Sequence, residues 1–220
     1  GEYYDAADQF KQAYTRTPAK ERDTRGKRAL KMAQCYQRIN ATPKAIAAYR
    51  NAIRYNQASK EDQLAYARQL LKNGDYRQAE KVFLMLKDSM PGNQLVANGL
   101  KSAQMAPEWK KQGSRYIVKR MDVFNSRRHD YSPVLFGDDY DQLYFTSTRN
   151  EALGDELSGI TGTKAGDIFL SEKDDRGKWS KPEAIGTGLN TDYDEGACCF
   201  TPDGREMYLT QCVTDPSSPR

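Results

Sequence analysis

The sequence GDYRQAE at residues 74–80 repeats the pattern of GEYYDAA at residues 1–7. A third copy is centred on Ala45, and the step from Ala6 to Ala45 is slightly longer than the step from Ala45 to Ala79. The second step matches a period of about 34 residues, which is typical of units that consist of two helices joined by a tight turn and that stack side by side. The period therefore predicts a row of paired helices in the first half of the chain.

Small residues occupy the contact positions of each unit. Ala67 and Ala79 fall where the two helices of a unit would meet, and Gly74 falls at the turn, where a positive φ is needed. The pattern resembles the tetratricopeptide family. The resemblance implies an all-α helical-repeat solenoid over residues 1–105, which we expect to be followed by a linker over residues 106–114. Because the first copy matches only the second helix of a unit, we expect the sequence to be part of a longer protein.

The first helix of each unit lines the concave side of the stack in tetratricopeptide proteins. Polar and basic residues recur at helical spacing on the two predicted helices that hold this position, 26–39 and 60–72. An ordinary solvated helix face has the same appearance, so both interpretations stay open. Under the functional interpretation, a groove for an acidic peptide segment is formed by Lys27, Gln34, Arg38, Arg68 and Lys72.

Charge is distributed unevenly along the chain. Residues 1–111 contain 21 Lys and Arg against 11 Asp and Glu, a net charge of +10, and the remaining residues contain 13 against 19, a net charge of −6. This asymmetry predicts two domains with different partners. The basic residues are dispersed along the predicted helices and form no dense run, which argues against nucleic acid as the partner. We predict protein partners, including acidic peptide segments.

The second half of the sequence has a strand pattern with its own internal copy. Asn125 and Asp130 correspond to Asn190 and Glu195, and the step from the first copy to the second is the same for both residues. After each acid come two short strand-like segments joined by a turn rich in Gly and Asp, which is typical of a β-hairpin. The copy predicts antiparallel strands over residues 115–220.

Four short motifs indicate the kind of sheet. They are LYFTS at 143–147, GDIFLS at 166–171, WSKP at 179–182 and PDGR at 202–205. The second motif, and the segment 177–186 that contains the third motif, are interpreted as the third and fourth strands of the first sheet. Together the motifs resemble the WD40-like Pro-Asp propeller repeat. The resemblance implies a multidomain protein in which the solenoid is followed by an incomplete all-β propeller of about two blades, whereas a closed propeller has about four or more.

Helical repeats followed by this propeller are similar to the periplasmic envelope proteins of Bacteroidetes that end in an OmpA-like peptidoglycan-binding domain, among them the PorE-type lipoproteins of the type IX secretion and gliding machinery. The resemblance implies a non-enzymatic scaffold in the periplasm, associated with the outer membrane. Its implied partners are other subunits of the secretion machinery. Contact with the membrane would come only through a lipid anchor upstream of Gly1, and contact with peptidoglycan only through a C-terminal domain outside this chain.

Few residues are candidates for catalysis or metal binding. His129 is the only histidine and no nucleophile motif accompanies it, so we predict no catalytic residue. The four cysteines form no Cys-x-x-Cys pair. The acids Asp138, Asp139 and Asp141 are interpreted as a hairpin turn, because no downstream Glu completes a calcium loop. We predict no cofactor and no metal. The alternative is a propeller-based peptidase or glycosidase whose catalytic residues lie outside this sequence.

Overall fold

The computed structural model describes residues 1–186 and 188–212. The chain divides into two compact units, one formed mainly by Gly1–Ile117 and the other mainly by the residues from Val118 onward. They are termed the helical unit and the β unit. Helices come first and antiparallel sheets follow, so the predicted order of an α region before a β region is confirmed.

Six helices are present in the described residues. They are α1 (Tyr3–Arg16), α2 (Arg22–Arg38), α3 (Thr42–Arg54), α4 (Lys60–Asn73), α5 (Tyr76–Ser89) and α6 (Gln94–Gln112). Helices α3 and α5 start the same number of residues apart as helices α4 and α6 do. The step from α1 to α3 is slightly longer. These two spacings match those between the repeated sequence patterns, because the same pattern occurs at the start of α1, α3 and α5.

Local sequence signals set the ends of α4. At its start, the Ser59 hydroxyl accepts a hydrogen bond from Asp62 N at 3.2 Å, and the Asp62 carboxylate accepts one from Ser59 N at 3.0 Å. This reciprocal pair is a capping box, which satisfies two backbone donors. At its end, Gly74 has a φ of 83°, and Asn40 takes the equivalent place after α2 with a φ of 57°. The turn predicted at Gly74 is therefore confirmed.

The last helix is longer than predicted. Helix α6 continues through most of the predicted linker to Gln112 and contains Pro107. Proline removes one backbone hydrogen bond from a helix and is therefore unfavourable in its interior. The residues around it include Ala, Glu, Lys and Gln, which are good helix formers and offset that loss.

The first strand begins later than predicted. Residues 115–121 alternate in sequence like a strand, but they are not part of any sheet in the described chain. Tyr116, Ile117 and Val118 are 82%, 84% and 93% exposed. Alternation is not sufficient for a strand, because the backbone groups also need a partner strand. The first strand starts at Asp130.

Alanines and one glycine allow close packing in the helical unit. The predicted contact residues Ala67 and Ala79 are both fully buried. Tyr49 and Phe83 belong to the same core and are 1% and 0% exposed. Gly99 of α6 lies so close to Phe83 of α5 that an added Cβ atom would overlap the aromatic ring. The contact between α5 and α6 therefore requires a glycine at this position.

The β unit contains one four-stranded sheet and one hairpin in the described residues. The strands are β1 (Asp130–Phe136), β2 (Gln142–Ser147), β3 (Asp167–Glu172), β4 (Glu183–Ala184), β5 (Glu195–Phe200) and β6 (Met207–Gln211). Strands β1 to β4 are antiparallel neighbours in chain order, and β5 pairs with β6. Both predicted hairpins are confirmed, as are the third and fourth strands of the first sheet.

The internal copy extends to the backbone of the two hairpins. Asp130 pairs with Ser147, and Glu195 pairs with Gln211. In each hairpin the register shifts shortly after the acid, as happens at a β-bulge, which bends the strand. The two hairpins are therefore copies in structure as well as in sequence.

Candidate functional site

The residues predicted to bind a partner lie on α2 and α4. Lys27, Arg38, Arg68 and Lys72 are exposed, and Gln34 is half-buried. Both helices turn their alanines and larger apolar residues into the core, so the long polar side chains are left towards solvent. Their exposure makes these residues accessible to a partner.

Two hydrogen bonds connect the two rows of predicted residues. Gln34 Nε2 donates to Asp62 Oδ1 at 3.1 Å, and Lys72 Nζ donates to Asn40 Oδ1 at 2.7 Å. The structure therefore brings the α2 row and the α4 row side by side at Gln34 and at Lys72. It also places the carboxylate of Asp62 within the surface, which was not predicted from the sequence. The position of Asp62 three places after Ser59 is the signal for a capping residue.

The other three predicted residues are not in contact with one another in the described chain. The guanidinium carbon of Arg38 lies 5.8 Å from the centroid of the Tyr3 ring. Lys27 and Arg68 make no hydrogen bond, ion pair or ring contact with any described residue. Exposed cations without an intramolecular partner remain available to an external anion.

The positive charge of the helical unit is almost entirely unpaired. Residues 1–111 carry a net charge of +10. Within residues 1–117, all of which are described, the only ion pair joins Lys111 to Glu108 at 2.8 Å. The other ion pairs of the described chain all lie in the β unit. The net excess of positive charge produces a potential that attracts partners of the opposite sign.

A second basic cluster lies at the ends of three helices. This Arg–Tyr cluster consists of Tyr14, Arg22, Arg25, Arg54 and Tyr55. The guanidinium carbons of Arg22 and Arg54 lie 5.6 and 4.9 Å from the Tyr55 ring centroid. That of Arg25 lies 4.4 Å from the Tyr14 ring centroid. No sequence pattern predicted the cluster, because its members come from α1, α2 and the end of α3, and only Arg54 and Tyr55 are adjacent in sequence.

The most buried ion pair of the described chain lies in the β unit. Arg149 Nη2 donates to Asp130 Oδ1 at 2.8 Å, and the two side chains are 7% and 9% exposed. The Ser147 hydroxyl donates to the same oxygen at 2.7 Å. The Arg149 guanidinium carbon also lies close to the rings of Phe145 and Phe169, 5.0 and 4.8 Å from their centroids. A carboxylate paired in this way is closed to a substrate, so the network stabilises the sheet.

Glu195 accepts hydrogen bonds in the second hairpin much as Asp130 does in the first. Thr191 donates to it from N at 2.9 Å and from the hydroxyl at 2.7 Å. Ser126 donates to Asp130 in the same two ways, at 2.6 and 3.0 Å. On the neighbouring strand, Gln211 takes the place of Ser147, and its Nε2 donates to Glu195 at 3.1 Å. The repeated acids therefore anchor the loop before each hairpin.

The residues considered for catalysis or metal binding add nothing to the candidate site. His129 uses its backbone N–H to donate to the Thr148 hydroxyl at 3.3 Å, and its ring has no partner among the described residues. No three His, Cys, Asp or Glu residues in the described chain are grouped so that they could hold a metal ion. The four cysteines are free thiols.

Comparison with known proteins identifies no family. No protein-family model matches the chain, and no curated protein matches it either. The tetratricopeptide and propeller resemblances therefore rest on the sequence motifs. In the described residues, no helix combines the length and the apolar character needed to cross a membrane.

Proposed function

We propose that this protein is a non-enzymatic scaffold whose helical unit binds anionic segments of protein partners. The observation that carries the proposal is the net charge of +10 in residues 1–111, where only Lys111 of the 21 Lys and Arg residues forms an ion pair within the described helical unit. A charge-assisted hydrogen bond to a carboxylate contributes about 1.5–3 kcal/mol when it is partly desolvated, against about 0–1 kcal/mol for a fully solvated pair.

We also propose that the helical unit is a tetratricopeptide solenoid and that the β unit belongs to a WD40-like propeller. The equal steps between successive helix pairs and the copied hairpins support this proposal. On the motif resemblance, the scaffold works in the periplasm at the outer membrane, as a component of a type IX secretion machinery. Fractionation of the source cells tests the location, and recovery of the protein in the cytoplasm would refute it.

The double variant Arg68→Ala with Lys72→Ala tests the binding surface, with a short labelled polyglutamate peptide as the probe. We expect the affinity to fall at least about tenfold, which corresponds to about 1.4 kcal/mol. Tm should change little, because both side chains are exposed. Fluorescence anisotropy at fixed ionic strength measures the affinity.

The matched control is Arg77→Ala with Lys81→Ala. It removes the same charge at the same spacing from exposed positions of α5. We expect this control to keep its affinity within about twofold, or about 0.4 kcal/mol, because salt screens exposed charges that do not contact the peptide. Equal losses in the two variants would show that net charge, and not the surface on α2 and α4, determines binding.

A further inference from the structure

The Arg–Tyr cluster concentrates positive charge that no acid of the described chain neutralises. Arg22, Arg25 and Arg54 form no ion pair with any described residue. Asp23 follows Arg22 in the sequence, but its Oδ1 accepts a hydrogen bond from Gln57 Nε2 at 3.3 Å and it pairs with none of these guanidinium groups. We propose that the Arg–Tyr cluster binds a phosphate group.

The hydroxyl of Tyr55 interacts with several other members of the cluster. It accepts a hydrogen bond from Arg54 Nη2 at 3.2 Å, and it also interacts with Arg25 and with the hydroxyl of Tyr14. Burial opposes ionisation of this phenol, but the hydrogen bonds from Arg54 and Arg25 outweigh it and lower the pKa of Tyr55. Surroundings that favour a phenolate also favour any other oxyanion placed beside them.

One guanidinium of the cluster is fixed and two are exposed. Arg25 is held by its Nη1, which donates to Thr17 O at 2.6 Å, and by the Tyr14 ring beneath it. Its Nε is buried without a hydrogen-bond partner in the described chain. Arg22 and Arg54 are exposed, so their donors can turn to an incoming ligand. The site thus combines one oriented guanidinium with two adaptable ones.

A phosphate group suits this donor set better than a carboxylate does. A carboxylate has two acceptor oxygens and a single charge. A phosphate monoester has three terminal oxygens and a charge of about −1.5 to −2 at neutral pH. Three planar guanidinium groups and a phenol hydroxyl can donate to different lone pairs of the same phosphate. We therefore expect phosphate to bind more tightly than acetate at equal ionic strength.

Titration of the full chain with inorganic phosphate, followed by nitrogen–proton NMR, tests the proposal. Acetate and chloride at matched ionic strength are the comparison anions. We expect saturable shifts around Arg25 and Tyr55 with phosphate and none with the other two anions. The double variant Arg22→Gln with Arg54→Gln should bind phosphate at least about tenfold more weakly, because it removes two of the three guanidinium donors.

The control is Arg50→Gln with Arg77→Gln, which removes two exposed arginines outside the cluster. It should bind phosphate as the wild type does. The proposal is overturned if phosphate produces no saturable shift, if acetate binds equally well, or if the control loses as much affinity as the cluster variant. The inference does not depend on the surface on α2 and α4, because Arg68→Ala with Lys72→Ala should bind phosphate normally whether or not it binds polyglutamate.

The source of the phosphate is identified with vesicles. Sedimentation of the chain with anionic phospholipid vesicles, abolished in the Arg22→Gln, Arg54→Gln variant, would assign the site to a lipid headgroup. Binding of inorganic phosphate without binding of these vesicles would assign it to a soluble phosphate compound. Either result supports a phosphate site.

Discussion

Arg149 and Asp130 form the most buried ion pair of the described chain, with side chains 7% and 9% exposed. Removal of one partner leaves the other charge unpaired in a poorly solvated place, which costs about 3–5 kcal/mol. We therefore expect Arg149→Ala to lower the free energy of unfolding by that amount. Urea-induced unfolding measures the change.

Arg120 supplies the control for this prediction. It pairs with Asp122 at the same distance of 2.8 Å, but the two side chains are 64% and 87% exposed. An exposed pair contributes less than about 1 kcal/mol, so Arg120→Ala should change the free energy of unfolding by no more than that. Similar losses in Arg120→Ala and Arg149→Ala would contradict the role given to burial.

Two buried aspartates of the β unit have pKa values shifted in opposite directions. Burial raises the pKa of Asp130, but hydrogen bonds from Ser147 and Arg149 outweigh burial, so its pKa is lowered overall. Burial also raises the pKa of Asp167, and there a hydrogen bond from Leu153 N at 2.8 Å is not enough to offset it. The second oxygen of Asp167 has no hydrogen-bond partner among the described residues.

The same substitution should therefore act in opposite directions at these positions. Asp130→Asn leaves the buried guanidinium of Arg149 without its counter-ion and should cost about 3–5 kcal/mol at neutral pH. A lowered folded-state pKa gives stability that is present above the unfolded value of about 3.9 and is lost as the pH falls through the folded value, so this cost should vanish in acid.

The pKa of Asp167 is shifted in the opposite direction to that of Asp130. Its raised pKa means that the ionised form destabilises the fold above the folded-state pKa, and that stability returns as the pH falls through it. Asp167→Asn should therefore leave the free energy of unfolding unchanged or raise it at neutral pH, with the advantage shrinking in acid. Urea unfolding over a pH series measures both variants, and an equal loss of stability at Asp130 and Asp167 would refute this assignment.

At the scale of the elements, the contact between α5 and α6 depends on Gly99. A Cβ there would overlap the ring of Phe83, which is fully buried. Overpacking of this kind costs about 1–3 kcal/mol, whereas alanine in a helix gains about 1 kcal/mol over glycine. We expect Gly99→Ala to destabilise the protein by up to about 2 kcal/mol in urea-induced unfolding.

A smaller side chain at position 83 distinguishes the effect of the steric overlap on stability from the effect of helix propensity. In a Phe83→Leu background the overlap is relieved, so Gly99→Ala should become neutral or stabilising. The coupling between the two positions is obtained from the four unfolding free energies. If Gly99→Ala has the same effect in both backgrounds, the contact with the Phe83 ring is not the reason why position 99 requires glycine.

The elements that the sequence predicts are those set by local patterns. The starts of α3 and α5 follow from repeated turns at Asn40 and Gly74, and the two hairpins follow from the copied acids Asp130 and Glu195. Each signal lies close in sequence to the feature that it determines. Such features can be read without knowledge of the tertiary structure.

The features that the sequence does not predict depend on distant partners. Residues 115–121 have the alternation of a strand, but only a pairing partner would make them one. The Arg–Tyr cluster forms because Tyr14 and Arg25 meet at the packed ends of their helices. Asp62 was missed as part of the binding surface because its contact is with Gln34, which is distant in sequence and belongs to another helix.

At the scale of the whole molecule, the two units differ in how many of their charged side chains form ion pairs. The described β unit pairs several of its charges internally, one pair being buried. In residues 1–111 of the helical unit, which have a net charge of +10, only Lys111 of the Lys and Arg residues forms an ion pair. This difference supports our proposal that the helical unit binds an anionic partner.

The affinity of the chain for a polyglutamate peptide, compared with a polyglutamine peptide of equal length, tests the central claim most directly. We predict that only the glutamate peptide binds, and that its affinity falls as salt is added, because exposed charges are screened beyond about 8 Å at physiological ionic strength. Equal affinity for the two peptides, or an affinity that does not change with salt, would contradict the claim that unpaired positive charge binds the partner.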